Sequence, residues 1–470
     1  MILRLIPILI LVLGSPLGAK EKYNVLFIIS DDLTSTALGS YGNKICRTPN
    51  IDRLAAQGTR FTRAYCQATF CGPSRASLMF GYYPYASKAT GFTSGRKEVG
   101  VDKDSWAQHF KKSGNHSASI SKVLHMGVPP DIAKGSDGAD DPESWDEVYN
   151  SKGPETKVAG LAEMLSHNPG GLKKGTGSSQ SFNVVEAEGD DLVHSDGKTA
   201  QKAVELIGKY KDMEPPFFLA VGFVRPHVPL VAPKKYFAPY PLNKIVLPPK
   251  IPGDQNDIPR NPANKRTTAN YKMDLAQQKG VLRAYYATVS YMDALVGKII
   301  SALESTDQRD NTIVIFTSDH GYHLGEHDLW QKVSIHEESA KVPLIICVPG
   351  KKPALCHSLT ELIDLYPTVS KLCGLKIPGN IQGKDISTML DDPTFKVRKA
   401  ALSSGKGRLL RTEKWAYLDY GKTGELYDME KDPKQYTNLI KDPKYAMILN
   451  QLKDQLKSKL NSIDQNDLDR

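Results

Sequence analysis

"YNVLFIISDD", residues 23–32, decides the fold of this chain. Apolar side chains run unbroken from Val25 to Ile29 and then give way to a serine and two aspartates. A strand buried on both faces of its pleat reads this way, because neither face meets water. The same pattern recurs in "PPFFLAVGFVRPH" (215–227), "NTIVIFTSDHG" (311–321) and "VPLIICVPG" (342–350). Between these runs lie helical periodicities. "TPNIDRLAAQGTRF" (48–61) is one. "KGVLRAYYATVSYMDALVGKIISALEST" (279–306) is another, with Asp293 and Lys298 off its apolar face. The alternation predicts a layered α/β domain around buried parallel strands. In open α/β sheets the site lies beyond the carboxyl ends of the strands. Asp31, Asp32, His227, Asp319 and His320 all follow such ends.

The chain has 470 residues, too many for one ordinary core. The reading outward gives a large domain over 20–392 and a small C-terminal α+β domain over 393–470. In the latter, "ALSSGKGRLLRTEKWAYLDY" and "TGELYDMEKDPKQYTNL" read as short strands joined by turns, and "YAMILNQLKDQLKSKLNSI" as a final helix. Residues 128–195 and 234–275 read as long surface loops.

The opening "MILRLIPILILVLGSPLGAK" has a basic start, an apolar run and a small-residue end. It is expected to be a signal peptide over residues 1–19, which places the mature chain in a secreted or periplasmic setting. A retained anchor is the competing reading; the apolar run is short for a span. No later segment is apolar enough to cross a bilayer.

The net charge of +9 suits an anionic partner. There is no basic stripe interleaved with aromatics, so nucleic acid is not expected. Cysteines of exported proteins usually pair. The six here are dispersed without C-x-x-C spacing. If Cys71 serves chemistry, an odd number remains and one thiol stays free. Cys347 lies in an apolar run and is expected in the core.

Four clusters suggest chemistry. Asp31 and Asp32 repel unless a cation neutralises them, and hard oxygen ligands suit Ca²⁺ or Mg²⁺. Asp319 and His320 could complete that site. "HGYHLGEH" raises a zinc alternative from His320, His323 and His327, three residues that would share one helical face, although two glycines argue against a helix there. "SKVLH" supplies Lys122 and His125, "RPHVP" fixes His227 between prolines, and "DLWQKVS" adds Lys332. In "FCGPSRASL" (70–78), Pro73 suits a first helical turn, which puts Cys71 at the positive end of a helix. A thiolate there would be stabilised, its pKa lowered. Yet a thiolate is a poor ligand for hard cations, so a thiol beside this site is inconsistent unless it is not the final species.

Cys71-Gly72-Pro73-Ser74-Arg75 resembles the C-x-P-S-R motif of the type I sulfatases. Further matching stretches follow in order, among them "NVLFIISDD", "SKVLHMG", "RPHVP", "FTSDHGYHLGEHDLWQK" and "GELYDMEKDP", and together they cover most of residues 23–430. Within the family the likeness runs to the iduronate-2-sulfatases, through K-V-x-H, the "RPHVP" turn and His320 after the metal aspartate. The departure is Ser121, where the family usually has glycine; its effect is expected to be small.

The resemblance implies an alkaline-phosphatase-like fold, a large mixed β-sheet sandwiched by helices, with an antiparallel sheet in the C-terminal domain. It implies that a maturase oxidises Cys71 to Cα-formylglycine. It further implies that Asp31, Asp32, Asp319, His320 and the modified Cys71 bind Ca²⁺, and that Lys122, His227 and Lys332 hold the sulfate. Arg75 would steady the nucleophile, His227 or Lys332 would serve the leaving oxygen, and His125 would act as base. The expected activity is hydrolysis of sulfate from a sulfated carbohydrate, a 2-O-sulfated uronate by the iduronate-2-sulfatase likeness. The alternatives are a phosphodiesterase or phosphonate hydrolase of the same superfamily, and a non-catalytic carbohydrate-binding protein on the same scaffold.

Overall fold

A computed structural model describes residues 23–166 and 181–468. The segment read as a signal peptide lies outside them. The centre is a nine-stranded sheet in the order Ala354–Cys356, Thr59–Tyr65, Lys341–Cys347, Thr312–Ser318, Asn24–Asp31, Phe217–Pro226, His116–Ser121 and Glu147–Tyr149. Thr360–Glu361 pairs beside Thr59–Tyr65. The strands from Thr312–Ser318 to Glu147–Tyr149 run parallel. Lys341–Cys347 does not: it is antiparallel to both neighbours, so the sheet is mixed. Its sequence looks like that of a parallel strand because burial on both faces, not direction, sets the composition.

The pleat of Asn24–Asp31 divides the protein. Leu26 and Ile28 join one apolar cluster with residues of the helices Pro49–Gln57, Ser195–Lys209 and Leu275–Ser305. Val25, Phe27 and Ile29 join another, with residues of Cys71–Phe80, Trp106–Lys112 and Leu365–Leu372. Each face of the sheet therefore carries its own helical layer. The long helix Leu275–Ser305 starts at a capping box formed by Asp274 and Gln277. Its Asp293, expected away from the apolar face, is buried. Its carboxylate accepts from the backbone N–H groups of Asn50 (3.2 Å) and Ile51 (2.8 Å), so it caps the first turn of Pro49–Gln57.

The C-terminal strands Ala400–Ser404, Arg408–Thr412, Trp415–Asp419 and Gly424–Asp428 form an antiparallel sheet. The final helix Ala446–Asp464 packs Leu452, Leu456 and Ile463 into the same cluster as Phe27. The reading of 128–195 as loops is only partly met. Glu147–Tyr149 extends the main sheet, and Gly160–Met164, Asn183–Ala187 and Leu230–Pro233 form a three-stranded sheet. Strands this short leave little periodicity to read. Residues 234–275 hold only single-turn helices, as expected of a loop.

All six cysteines are free, against the expectation of pairing. The thiols of Cys46, Cys347 and Cys356 meet backbone carbonyls instead, in separate parts of the core. Cys347 is buried in its strand, as read. No helix among the described residues is long and apolar enough to cross a membrane.

Candidate active site

Four neighbouring parallel strands deliver the site from their carboxyl ends. Register places Ser30 beside Ser318 and Asp31 beside Pro226. Asp31 and Asp32 therefore lie next to Asp319 and His320 on one side and to the Arg225–His227 turn on the other. Lys122 follows His116–Ser121, the next strand along. The helix Cys71–Phe80 points its first turn at this row, with Cys71 its first residue. The sequence-predicted residues Asp31, Asp32, Cys71, Arg75, Lys122, His227, Asp319, His320 and Lys332 are brought together here, all buried, and His125 lies at their edge.

Cys71 Sγ is 3.4 Å from Asp31 Oδ1, 3.2 Å from His320 Nε2 and 3.0 Å from Lys332 Nζ. Lys332 also donates to Asp32 Oδ1 at 2.6 Å, and Lys122 pairs with Asp31. Arg75 is the central tie. Its Nε donates to Asp319 Oδ2 at 2.9 Å, its Nη1 to the carbonyls of Lys122 and Val123, and its Nη2 to the Ser30 carbonyl. One guanidinium thus fastens three strand ends. His227 projects Nε2 to 3.8 Å from Asp32 while its Nδ1 meets the Val228 carbonyl. Its turn is braced from behind: Asp196 accepts from the N–H groups of Val224 and Arg225, and Glu155 pairs with Arg225 at 2.6 Å.

The electrostatics follow from burial against charge. Burial opposes ionisation of Asp31, but the charges of Lys122, Arg75 and Lys332 outweigh it and hold its carboxyl well below the usual range. Burial raises Asp32 despite Lys332. Burial, then the charge of Asp31, pushes the Cys71 thiol well above its ordinary value, opposite to the lowering expected from the helix end. The dipole acts on this thiol, but the loss of water and a carboxylate at 3.4 Å act more strongly. Burial, then Lys122, lowers His125 to about 2, and burial, then Lys332, lowers His227. Both imidazoles are neutral at pH 7.

Two overlapping sets of ligand atoms lie within 4.8 Å of one another: Asp31, Asp32, Cys71 and His227, and Asp31, Cys71, Asp319 and His320. Half of the donors, those of Asp31, Asp32 and Asp319, are carboxylate oxygens of the kind hard cations take. Asp32 Oδ2 is buried and accepts no hydrogen bond, whereas Asp31 Oδ2 faces the Lys122 ammonium. A divalent cation would satisfy the orphaned oxygen of Asp32, so the residues fit a metal.

The zinc alternative does not hold. Residues 320–327 form no helix: His323–Leu324 is a short strand, and His327 has a left-handed backbone with φ 54°. His320 joins the aspartates. His323 hydrogen-bonds Ser339 Oγ at 2.9 Å, and His327 pairs with Asp254 at 3.1 Å. Burial disfavours charge on His327, but its hydrogen bond to Asp254 and the charges of Glu338 and Asp254 prevail and raise its pKa to about 9. The sign of the consequence is fixed. Folding holds this proton more tightly than the unfolded chain does, so the stability it brings is full below pH 6.5 and is lost as pH rises through 9. Unfolding measured across that window should show the parent losing on the order of 2 kcal/mol more than His327→Gln. Parallel curves for the two proteins would refute the pairing.

Two local features were not legible in the sequence. Ser121 has φ 59°, a left-handed backbone that glycine adopts without strain, so serine there carries a cost of about 1 kcal/mol, in keeping with the small effect expected of it. Lys332 sits between Gln331 (φ 65°) and Val333 (φ 92°), two more residues held in that region. Such strain persists only where the surroundings fix it, and it aims this lysine at Asp32. Phe92 was also missed. Its ring stacks on His125 with centroids 4.1 Å apart and tilts onto Phe70, the neighbour of Cys71. It is nevertheless 57% exposed. An aromatic four residues from the nearest charged side chains in a Gly/Thr/Ser loop gives a faint signal.

The family profile described as "Sulfatase" matches residues 23–375, and one described as "N-sulphoglucosamine sulphohydrolase, C-terminal" matches 325–462. A sulfatase from Formosa agariphila is 32% identical over 461 residues, spanning 92% of this chain and 86% of that protein. Human iduronate 2-sulfatase is 31% identical over 420 residues, spanning 78% and 72%. Among solved structures, a phosphonate monoester hydrolase from Silicibacter pomeroyi superposes with a TM-score of 0.76 at 20% identity, covering 94% of this chain and 96% of that one.

Proposed function

The chain belongs to the sulfatase family, with the alkaline-phosphatase-like fold, and on that footing we propose that it removes sulfate from a sulfated carbohydrate, a 2-O-sulfated uronate, at Cys71 carried as Cα-formylglycine beside Ca²⁺. The observation that carries the reading is the convergence of three carboxylates and three cations on residue 71. Asp31, Asp32 and Asp319 balance Arg75, Lys122 and Lys332. A divalent ion held by Asp31, Asp32, Asp319 and His320 leaves a net positive pocket, which is what an anionic ester needs. The hydrated aldehyde at residue 71 would supply an oxygen nucleophile and a hard ligand, and the ion would draw charge from the sulfate oxygens.

The chain's own groups do the rest. Lys122 and Lys332 flank the position of Cys71 Sγ and hold the sulfate by charge and hydrogen bonds, with His227 beside them. Lys332 Nζ, 3.0 Å from that sulfur, keeps its proton through Asp32 and offers charge to the leaving oxygen. His227, neutral and fixed through Nδ1, presents Nε2 on the same side. His125 is neutral, and its buried Nδ1 has no hydrogen-bond partner; in this reading it serves as the base. Arg75 touches no solvent and serves as the frame. The reading includes a transient maturase partner, a signal peptide at 1–19 with a secreted or periplasmic chain, and catalytic and C-terminal domains meeting at 392/393.

The test is sulfate release from a panel of defined sulfated saccharides by protein co-expressed with a maturase, with matched phosphate and phosphonate esters beside them. Release from 2-O-sulfated uronates, abolished by chelation and restored by Ca²⁺, is expected. Turnover of phosphonates alone would favour the chemistry of the Silicibacter relative. No turnover of any sulfate, with formylglycine confirmed, would overturn the proposal.

Phe92 adds a prediction. An exposed aromatic face beside the site is a platform for the apolar face of a sugar ring. Phe92→Ala should raise KM for sugar sulfates by about fivefold to tenfold, the equivalent of one lost ring contact. The kcat should move little, and a small aryl sulfate should serve as the control. An unchanged KM for the sugars would rule the platform out.

A further inference from the structure

A second basic cavity lies away from Cys71, between the segment 255–260 and the C-terminal domain. Its volume is about 640 Å³, within the span of small-ligand sites. Arg260, Lys422, Lys441 and Lys453 line it. They come from four separate places: the 234–275 insertion, the turn between strands Trp415–Asp419 and Gly424–Asp428, the segment before the last helix, and that helix itself. All four are exposed, and none forms an ion pair among the described residues. Elsewhere on the surface many lysines are paired, as Lys371 is with Asp385 and Lys396 with Glu413. The one carboxylate in the wall, Asp257, is engaged by the backbone N–H of Asn438 at 2.9 Å.

Four cations gathered around one concavity, with a single occupied acid, repel one another until an anion enters. The proposed substrate class supplies such an anion, since a sulfated polysaccharide carries further sulfates on the sugars flanking the one being cleaved. The insertion that lines the cavity also reaches the active site. Gln255 donates to the His327 carbonyl, and Arg266 donates at 2.8 Å to Gln331, the residue before Lys332.

We propose that this cavity is a secondary binding site for a sulfated oligosaccharide, holding the remainder of a polymeric substrate by its additional sulfates. The inference rests on the sulfatase reading of the first site, but its test is separable from it.

The full-length triple variant Lys422→Glu/Lys441→Glu/Lys453→Glu is compared with the parent and with the charge-keeping Lys→Arg triple. Two quantities are read: the salt needed to elute each protein from immobilised heparin, and kcat/KM on a long sulfated oligosaccharide against the smallest sulfated saccharide the parent turns over. The Glu variant should elute at lower salt. It should lose about tenfold in kcat/KM on the oligosaccharide and less than about twofold on the small substrate. The Arg variant should behave as the parent. Wild-type elution and turnover by the Glu variant would overturn the site. So would an equal loss on both substrates, which places the defect in the catalytic centre or the fold. Displacement of the parent from heparin by DNA as readily as by free heparin would also overturn it, in favour of a general polyanion surface. If the parent hydrolyses no sugar sulfate while heparin retention still depends on these lysines, the catalytic reading fails and the anion site stands.

Discussion

Cys71→Ala is expected to fold as the parent does and to lose at least about 10⁴-fold in kcat/KM on sulfate esters, the scale seen when a covalent nucleophile is removed. Cys71 Sγ is the atom on which Asp31, His320 and Lys332 converge, at 3.4, 3.2 and 3.0 Å. As a thiol it suits neither its oxygen-rich neighbours nor nucleophilic attack, because burial and Asp31 keep it protonated. The active preparation should therefore yield a peptide in which the side chain at 71 carries oxygen in place of sulfur and two hydrogens, detected by mass spectrometry. Activity should scale with the fraction converted. An unconverted protein that hydrolyses sulfate esters at the full rate would end this account of residue 71.

Arg75→Ala should be the most damaging framework change, at about 3–5 kcal/mol, the cost of stripping the partner from buried charges. Arg75 is fully buried. Its removal orphans Asp319 Oδ2 and the carbonyls of Lys122, Val123 and Ser30, and leaves three carboxylates facing two cations. Arg75→Lys should not rescue it, since an ammonium cannot span three strand ends as a planar fork does. Chemical denaturation measures the loss, and a change below about 1 kcal/mol would mean these bonds contribute nothing net.

The parts that could be read from the sequence were those fixed by local rules. A strand buried on both sides announces itself by composition, and the site then has to sit at its carboxyl end, so Asp31, Asp32, Asp319 and His320 were legible as one group. Pro73 marked the helix that begins at Cys71. The rest depended on distant partners. Nothing near Asp293 says that it will cap a helix more than two hundred residues earlier. His327 reads as a zinc ligand until Asp254, far along the chain, takes its Nδ1. The direction of Lys341–Cys347 leaves no mark, because both directions bury the same side chains. The helix end predicted a lowered thiol pKa at Cys71, but solvent exclusion and Asp31 are properties of the assembled site. Phe92 matters only through the ring it lies against.

The alternating strand Asn24–Asp31 has a consequence for how such a protein can change. Its odd-numbered apolar residues feed one helical layer and its even-numbered ones the other, and its last residue is Asp31. Insert or delete one residue within it and the side chains beyond the change exchange layers, so that Asp31 turns to the opposite side of the sheet if the first residues keep their places. Foldability and catalysis are thus locked to a single phase. Drift in this family can reshape the loops that frame the site, but the position of Asp31 and Asp32 cannot be adjusted by small steps along this strand.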